Sequence, residues 1–412
     1  MSKNFNYTRL ACAITALSLT SLAGAAGLDR SGQPSEDFSS DGTLAYVSAV
    51  HISPSLSGVE ADGKVISDTA NEYQFYGYGA KTDVNDQLSV GVFYDQPFGA
   101  DVEYQGKNSL VDYSNPDNIK PSTATVRTEN FTGLLGIKLG ENNNFKIYGG
   151  PVLQKIKAEV DIHGDPAVLT ALNGYALNIP TNTEYGYMVG AAYVKPEIAL
   201  KAAVTYRSEI AHNVTYEESM PVIDAVNPTL PPALRLSSTQ TKTDDLTLPK
   251  SVNIDFQTGL NKTTLLTAKA RWVPWSEFKI VPPLLSGNAV ALNSYKQVVI
   301  KEAALLSYGD DSYQLELGLA KRLSPILAVS GTVGWDSGAG NPVSPLGPAE
   351  GYYSVGLGAK YNVTPNWAVS AGAKYLMLGD ADGQLAATKK DLGRFEDNSA
   401  YVVGVKLSYQ AK

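Results

Sequence analysis

The sequence predicts an all-β fold, a transmembrane antiparallel β-barrel of about fourteen strands. Three observations predict it: residues alternate between apolar and polar at period two, the links between alternating segments are short and long in turn, and no apolar run after Ala26 is long enough for a membrane helix. Composition agrees, with 24 Tyr against 10 Phe, 37 Gly and only 18% charged residues. Tyr suits a ring that sits half in lipid and half among headgroups.

The chain opens with Lys3 and Arg9, an apolar stretch from Leu10 to Ala23, and the small-residue run Ala23-Gly24-Ala25-Ala26-Gly27. This is the pattern of a secretory signal over residues 1–25, cut after Ala25 or Ala26. The other reading, a retained anchor helix, asks for a longer stretch less broken by Ser and Thr. Cys12, the only cysteine, lies inside the signal, so the exported chain has neither disulfides nor thiolate metal sites. With 33 basic and 41 acidic residues, the net charge of -8 speaks against a nucleic-acid partner. Residues 26–42 then read as a short hatch-like segment and residues 43–412 as the barrel.

Strand segments are expected near 42–52, 72–82, 86–95, 124–140, 143–162, 183–195, 197–216, 247–260, 262–280, 309–323, 325–337, 350–363, 365–380 and 396–410. The last shows the pattern plainly: Tyr401, Val403, Val405, Leu407 and Tyr409 share one face, while Val402, Gly404, Lys406, Ser408 and Gln410 share the other. In the segment from Tyr313, Leu315, Leu317 and Leu319 oppose Gln314, Glu316 and Gly318. In the segment from Ile198, the apolar face ends on Tyr206 as an interfacial girdle requires.

The links Val84-Asn85-Asp86, Glu141-Asn142-Asn143, Lys195-Pro196, Asn261-Lys262, Ser324-Pro325 and Asn362-Val363-Thr364 are tight turns rich in Asn and Pro. The links near 53–71, 96–123, 163–182, 217–246, 281–308, 338–349 and 381–395 are long. Short periplasmic turns alternating with long extracellular loops are a barrel signature, and a soluble sandwich has no reason to segregate its loops this way.

Three places stand out as candidate sites. Alternation in the third strand breaks at Pro97-Phe98-Gly99, where Pro lacks a ladder donor and Gly permits a bend. One reading is an inward bulge that opens a lateral window lined or gated by Phe98; the other is that the strand ends there. Val168, Leu169 and Leu172 on a short helix after Asp165-Pro166, with Val222, Ile223 and Val226 in the next long loop, form either a surface groove for greasy ligands or a lid in which the two loops pack together. Lys201, Arg207, Lys269, Arg271 and Lys374 lie on the polar faces and are expected to point into the lumen, to meet a ligand carboxylate or the inward acids Asp255, Glu209, Glu316 and Asp336.

Catalytic signals are missing. His51, His163 and His212 lack ligand spacing, no G-x-S-x-G or Walker loop occurs, and the acidic Gly379-Asp380-Ala381-Asp382-Gly383 reads as a turn. No catalytic residue, metal or cofactor is expected.

Several stretches resemble the FadL-type family of outer-membrane hydrophobe transporters: Thr205-Tyr206-Arg207-Ser208-Glu209 ending a strand before an extended loop, Trp272-Val273-Pro274-Trp275-Ser276-Glu277-Phe278, and the closing strands from Tyr313 to Tyr409. Gly27-Leu28-Asp29-Arg30-Ser31-Gly32-Gln33 together with Tyr94-Asp95-Gln96-Pro97-Phe98-Gly99 is similar to a subgroup of that family. The resemblance implies a bacterial outer-membrane barrel plugged by an N-terminal hatch. Its long loops would collect long-chain fatty acids or similar hydrophobic small molecules, which leave passively and sideways past a kinked third strand. It implies outer-membrane lipid and lipopolysaccharide as surroundings, and the outer-membrane assembly machinery as a partner. The sequence departs from the family in its shorter hatch, which lacks an Asn-Pro-Ala motif, and in its end, where Gln410-Ala411-Lys412 follow Tyr409. The competing classes are a polar-solute porin and a surface receptor or adhesin barrel.

Overall fold

The computed structural model describes residues 27–33, 36–295, 300–345 and 347–411; the expected signal lies outside them. Seventeen hydrogen-bonded segments build fourteen wall strands, because three strands are each broken once. In chain order these are β1 (Thr43–Ser55), β2 (Tyr73–Asp83), β3 (Leu88–Asp95 and Gly99–Glu103), β4 (Thr123–Leu139) and β5 (Phe145–Ile162). They continue with β6 (Tyr175–Lys195), β7 (Leu200–Arg207 and Ile210–Ser219), β8 (Thr239–Leu248 and Ser251–Asn261) and β9 (Thr264–Val273). The last five are β10 (Ser312–Arg322), β11 (Leu327–Asp336), β12 (Tyr352–Asn362), β13 (Trp367–Leu378) and β14 (Ser399–Ala411). The ladder from Thr43↔Ala411 to Ser55↔Ser399 joins β1 to β14 and closes the barrel.

Closure is what lets such residues meet lipid, since a closed sheet has no edge and every wall N–H and C=O can find a partner. Outward faces are apolar and exposed: Leu315, Leu317, Leu319, Val403, Val405 and Leu407. Exposed aromatics border this band at both ends. Tyr187, Tyr313, Tyr353 and Tyr401 stand near the long loops, and Phe145, Tyr361 and Trp367 stand near the short turns.

Apart from the third strand, expected over 86–95 and continued here by Gly99–Glu103, expected and observed strands agree to within a few residues except at three edges. β6 begins at Tyr175, eight residues earlier than alternation indicated, because Pro180 sits in a register shift against β5 instead of stopping the strand. β8 begins at Thr239, since the run Thr239–Asp245 is polar on both faces and carries no alternation, yet pairs fully with β7. The ninth strand stops at Val273, before Pro274 and a turn of 3-10 helix over Trp275–Glu277, and does not reach residue 280.

The long loops are built. Four short strands from the first and last of them, Gly58–Val59, Val65–Ile66, Ala381–Leu385 and Lys390–Phe395, form one small sheet. The acidic 379–383 stretch therefore enters a strand and is not merely a turn. Three helices add to the cap: α1 (Pro166–Leu169), α2 (Val222–Val226) and α3 (Pro283–Tyr295). The first turn of α3 is held by the buried Glu218, whose carboxylate accepts from Leu284 N at 2.7 Å and Leu285 N at 3.0 Å. A carboxylate at a helix N-terminus meets both its orphan donors and its dipole.

This layout fixes a topology. An epitope inserted after Leu230 should be reached by antibody on intact cells, and one beside Asn85 only after the outer membrane is opened. The reverse pattern of labelling would invert the barrel.

Candidate functional site

The wall ladder is interrupted in two places: between β6 and β7 it lapses from Ile179 to Tyr187, bridged by Ser208 N donating to Tyr187 O at 3.0 Å and Asn182 Nδ2 to Asn213 O at 3.0 Å, and between β2 and β3 it opens where the third strand bends. The ladder between β2 and β3 runs from Asp83↔Ser89 to Tyr78↔Tyr94 and stops. It is regained only above, at the bridge Ala70↔Val102, with Asn71 N donating to Asp101 O at 3.1 Å and Glu103 N to Thr69 O at 2.9 Å. Between these limits Tyr73–Gly77 of β2 has no strand partner on that side, although Tyr76 N donates to Gln96 Oε1 at 3.0 Å. β3 meanwhile stays paired to β4 on both sides of its break, as Asp95↔Asn130 and Gly99↔Arg127. The third strand does not end at Pro97; it bends away from β2 and leaves a window closed above and below.

The cause is partly local. Pro97 offers no N–H, so a ladder bond to β2 is lost whatever the geometry. The rest comes from the N-terminal segment, which takes β2's place: Arg30 N donates to Pro97 O at 2.7 Å, Gly99 N to Leu28 O at 2.8 Å, and Asp29 bridges antiparallel to Phe98. Phe98 points inward, buried, with its ring 5.5 Å from that of Trp275, edge to face. It therefore sits in the lumenal core and does not line the window. Gly99 is required by close approach, since a Cβ there would lie 2.7 Å from Arg30 Nε and 2.8 Å from Val126 O.

Residues 27–33 cross the lumen held by wall side chains. Asp29 pairs with Arg271 at 2.6 Å, and Arg271 also donates to Asn253 Oδ1 at 2.8 Å. Arg207 donates to Gln33 O at 2.5 Å, Ser251 to Gln33 Oε1 at 2.7 Å, and Ser31 to Asp95 Oδ2 at 3.0 Å. The inward cations thus meet partners inside the barrel: Arg207 and Arg271 hold the N-terminal segment, and Lys374 pairs with Glu316 at 2.5 Å. Toward the short turns, Phe38 packs on Tyr148 at 5.3 Å, Lys146 reaches Asp41 at 2.7 Å and Ser39 O at 2.5 Å, and Lys138 reaches Asp83 at 2.6 Å. Burial alone would push the Asp41 carboxyl up, but the charge and hydrogen bond of Lys146, with Lys138 behind, hold it below its usual range.

Toward the long loops the lumen is apolar. One contiguous cluster runs from Leu169, Leu172 and Ile223 through Val214 and Ile156 to Trp275, Phe98 and Leu28. The six loop residues singled out in the sequence meet here in two ways. Leu169, Leu172 and Ile223 are fully buried where the loops pack together, while Val168, Val222 and Val226 keep part of their surface. At the base of the column, behind the window, lies a cavity of about 50 Å³ lined by Ile52, Leu56, Tyr73, Ala100, Val102 and Arg30 among others.

A family model matches residues 67–410, that of the outer membrane protein transport protein family (OMPP1/FadL/TodX). The chain belongs to this family. It is an outer-membrane transport channel for hydrophobic compounds and not an enzyme. Solved structures share its fold: a FadL homologue from Pseudomonas aeruginosa has a TM-score of 0.69 at 15% identity, covering 90% of each chain. The P. putida toluene transporter TodX gives 0.58 at 11%, with 91% of each chain covered. The Ralstonia pickettii toluene transporter TbuX gives 0.53 at 10%, covering 90% of each. Among curated proteins none matches.

For this family member, the sequence pointed to the kink but not to Arg30, Tyr73 or Trp275, which reach it from three distant parts of the chain. The Gly27–Gln33 stretch was the available signal, because a dense run of charged and small residues inside an apolar barrel needs partners. His212, which has no ligand spacing, is a buried lumenal residue between Asn182 at 2.8 Å and Gln154 at 3.1 Å. Among the described residues no group of three or more His, Cys, Asp or Glu is placed to hold a metal.

Two outcomes follow from these anchors. Replacing Asp29 with Asn leaves Arg271 buried without its counter-ion, a loss of about 3–5 kcal/mol; the N-terminal segment should then exchange amide hydrogens faster while the β10–β14 amides keep their protection. Because Asp41 titrates low, its hold on Lys146 is complete above the usual carboxylate range and is lost only as pH falls through the depressed value. Protection factors at residues 36–42, which are corrected for the intrinsic pH dependence of exchange, should therefore be unchanged from pH 7 to 5 and fall in stronger acid, and Asp41→Asn should show the lowered protection already at pH 7.

Proposed function

We propose that the protein carries long-chain fatty acids or similar hydrophobic molecules passively from the cell surface into the outer membrane, leaving sideways between β2 and β3. The observation that carries this reading is the layering of the lumen. The contiguous apolar column reaches from the loops to Phe98, where Arg207, Asn253, Arg271, Glu316 and Lys374 with the buried N-terminal segment separate it from a smaller apolar cluster around Phe38 and Tyr148. An alkyl chain loses about 0.8 kcal/mol per methylene on leaving an apolar medium for a polar one. A dozen methylenes would thus face roughly 10 kcal/mol on the axial route, whereas the window adjoins the foot of the column. Outside the window, Tyr78 and Tyr94 stack at 4.5 Å on the lipid side, with Phe131 packed at a tilt against Tyr94 at 4.9 Å.

Capture begins at the cap, where the half-buried Val168, Val222 and Val226 make an apolar rim over the column. Residues 27–42 act as the plug that separates column from periplasm. Membrane lipid and lipopolysaccharide surround the girdles, and the outer-membrane assembly machinery takes β14, with Tyr409 near its end, as its signal. A polar-solute porin would need an open aqueous path through this polar layer.

The test is a tether across the window. Tyr76→Cys with Gln96→Cys, in a chain whose only cysteine is Cys12, should form a disulfide that ties β2 to β3. Oleate uptake by cells expressing the oxidised protein should fall at least several-fold and return on reduction. Undiminished uptake with the disulfide formed would mean that ligand leaves along the barrel axis.

A further inference from the structure

The window is already filled, and one side chain fills it. Arg30 is 5% exposed; its guanidinium carbon lies 3.9 Å from the centroid of the Tyr73 ring on β2, while its other side abuts the bare backbone of Gly99 on β3. It joins the two edges that the missing ladder leaves apart, and it lines the cavity behind them.

Other cations of the lumen are held differently. Arg271 and Lys374 meet carboxylates, and Arg207 a backbone carbonyl. Across the gap Arg30 meets the face of a ring, a contact with little directional demand that an arginine can leave by rotating its side chain. Its own backbone is far better fixed. Leu28–Ser31 makes three hydrogen bonds to Pro97 and Gly99, and on either side of Arg30 stand the Asp29–Arg271 pair and the Ser31–Asp95 bond. Clearing the window by peeling this segment away would break all of these together, whereas turning Arg30 gives up only its stacking on Tyr73 and its attraction to Asp101.

We propose that Arg30 is the gate of the lateral window: its side chain swings off Tyr73 to let ligand pass, while the backbone of Leu28–Ser31 stays paired to β3. Gly99 is then the seat that the gate closes onto, and Tyr73 the latch. This rests on the reading of sideways exit, but its first test does not need transport.

The first experiment places a thiol behind the gate, as Ala100→Cys, and measures its reaction with an alkyl maleimide dissolved in the lipid of proteoliposomes. Arg30→Ala and Tyr73→Leu should each speed labelling at least several-fold, with folding checked by heat-modifiable migration. Unchanged labelling in both folded variants overturns the gate. The second repeats the labelling after tying the segment down through Ser31→Cys with Asp95→Cys, oxidised before Ala100→Cys is unmasked by a cleavable block. Labelling of the Arg30→Ala protein should stay fast; if the tether abolishes it, the whole segment moves and the proposal fails. Oleate uptake by the same variants separates the two ideas. Fast labelling without any uptake, in wild type or variant, would count against sideways transport and leave the gate standing.

Discussion

The structure depends on one constraint, that backbone hydrogen bonds inside a membrane wall must be met by protein because lipid offers no partner. Most of the fourteen seams meet it in the ordinary way, strand to strand, and the lapse between β6 and β7 is bridged by Ser208 and Asn182. Where β3 leaves β2, the N-terminal segment supplies the missing partners to Pro97 and Gly99, and Gln96 reaches back to Tyr76 N. The opening can exist because the N-terminal segment completes it. Window and segment therefore depend on each other, and neither is explained by the local sequence of β3 alone.

The same economy governs the lumen. Burying charges in a barrel is costly unless each meets its counterpart, and here the counterparts are used to place the N-terminal segment. Arg271 takes Asp29, Arg207 takes the Gln33 carbonyl, and Lys146 takes Asp41 and the Ser39 carbonyl. Above this polar layer the space is filled with Trp275, Phe278, Phe98 and the loop residues, an environment compatible with alkyl or aromatic molecules and hostile to ions. The boundary between the two layers lies at the level of the window, which is why the proposed route turns sideways there.

The cap above the membrane is an ordered body and not a fringe of loops. Glu218 ties α3 to β7, Lys390 Nζ donates to Ala167 O across the mouth, and the small four-stranded sheet joins the first and last long loops. Such ties keep the apolar column covered from water.

Much of this was legible in the sequence because a barrel wall is read one residue at a time. Alternation at period two, girdle aromatics such as Tyr313, Tyr401 and Trp367, and short turns at Asn85, Asn142, Pro196 and Pro325 determined the strand number and the ends on which the long loops lie. Pro97 and Gly99 marked the kink for the same local reason. What the sequence could not determine is what stands opposite the kink. Arg30, Tyr73, Asp101 and Trp275 come together only once the barrel closes and the N-terminal segment enters it, and their meeting depends on the register between β2 and β3. Likewise, Leu169 and Ile223 were recognisably apolar, but only the packing of two loops on each other decided that they would be core and that Val168 and Val222 would remain partly in reach. Local pattern decides which face of a strand meets lipid; which residues share the space inside is decided by closure, because the lumen is assembled from positions hundreds of residues apart.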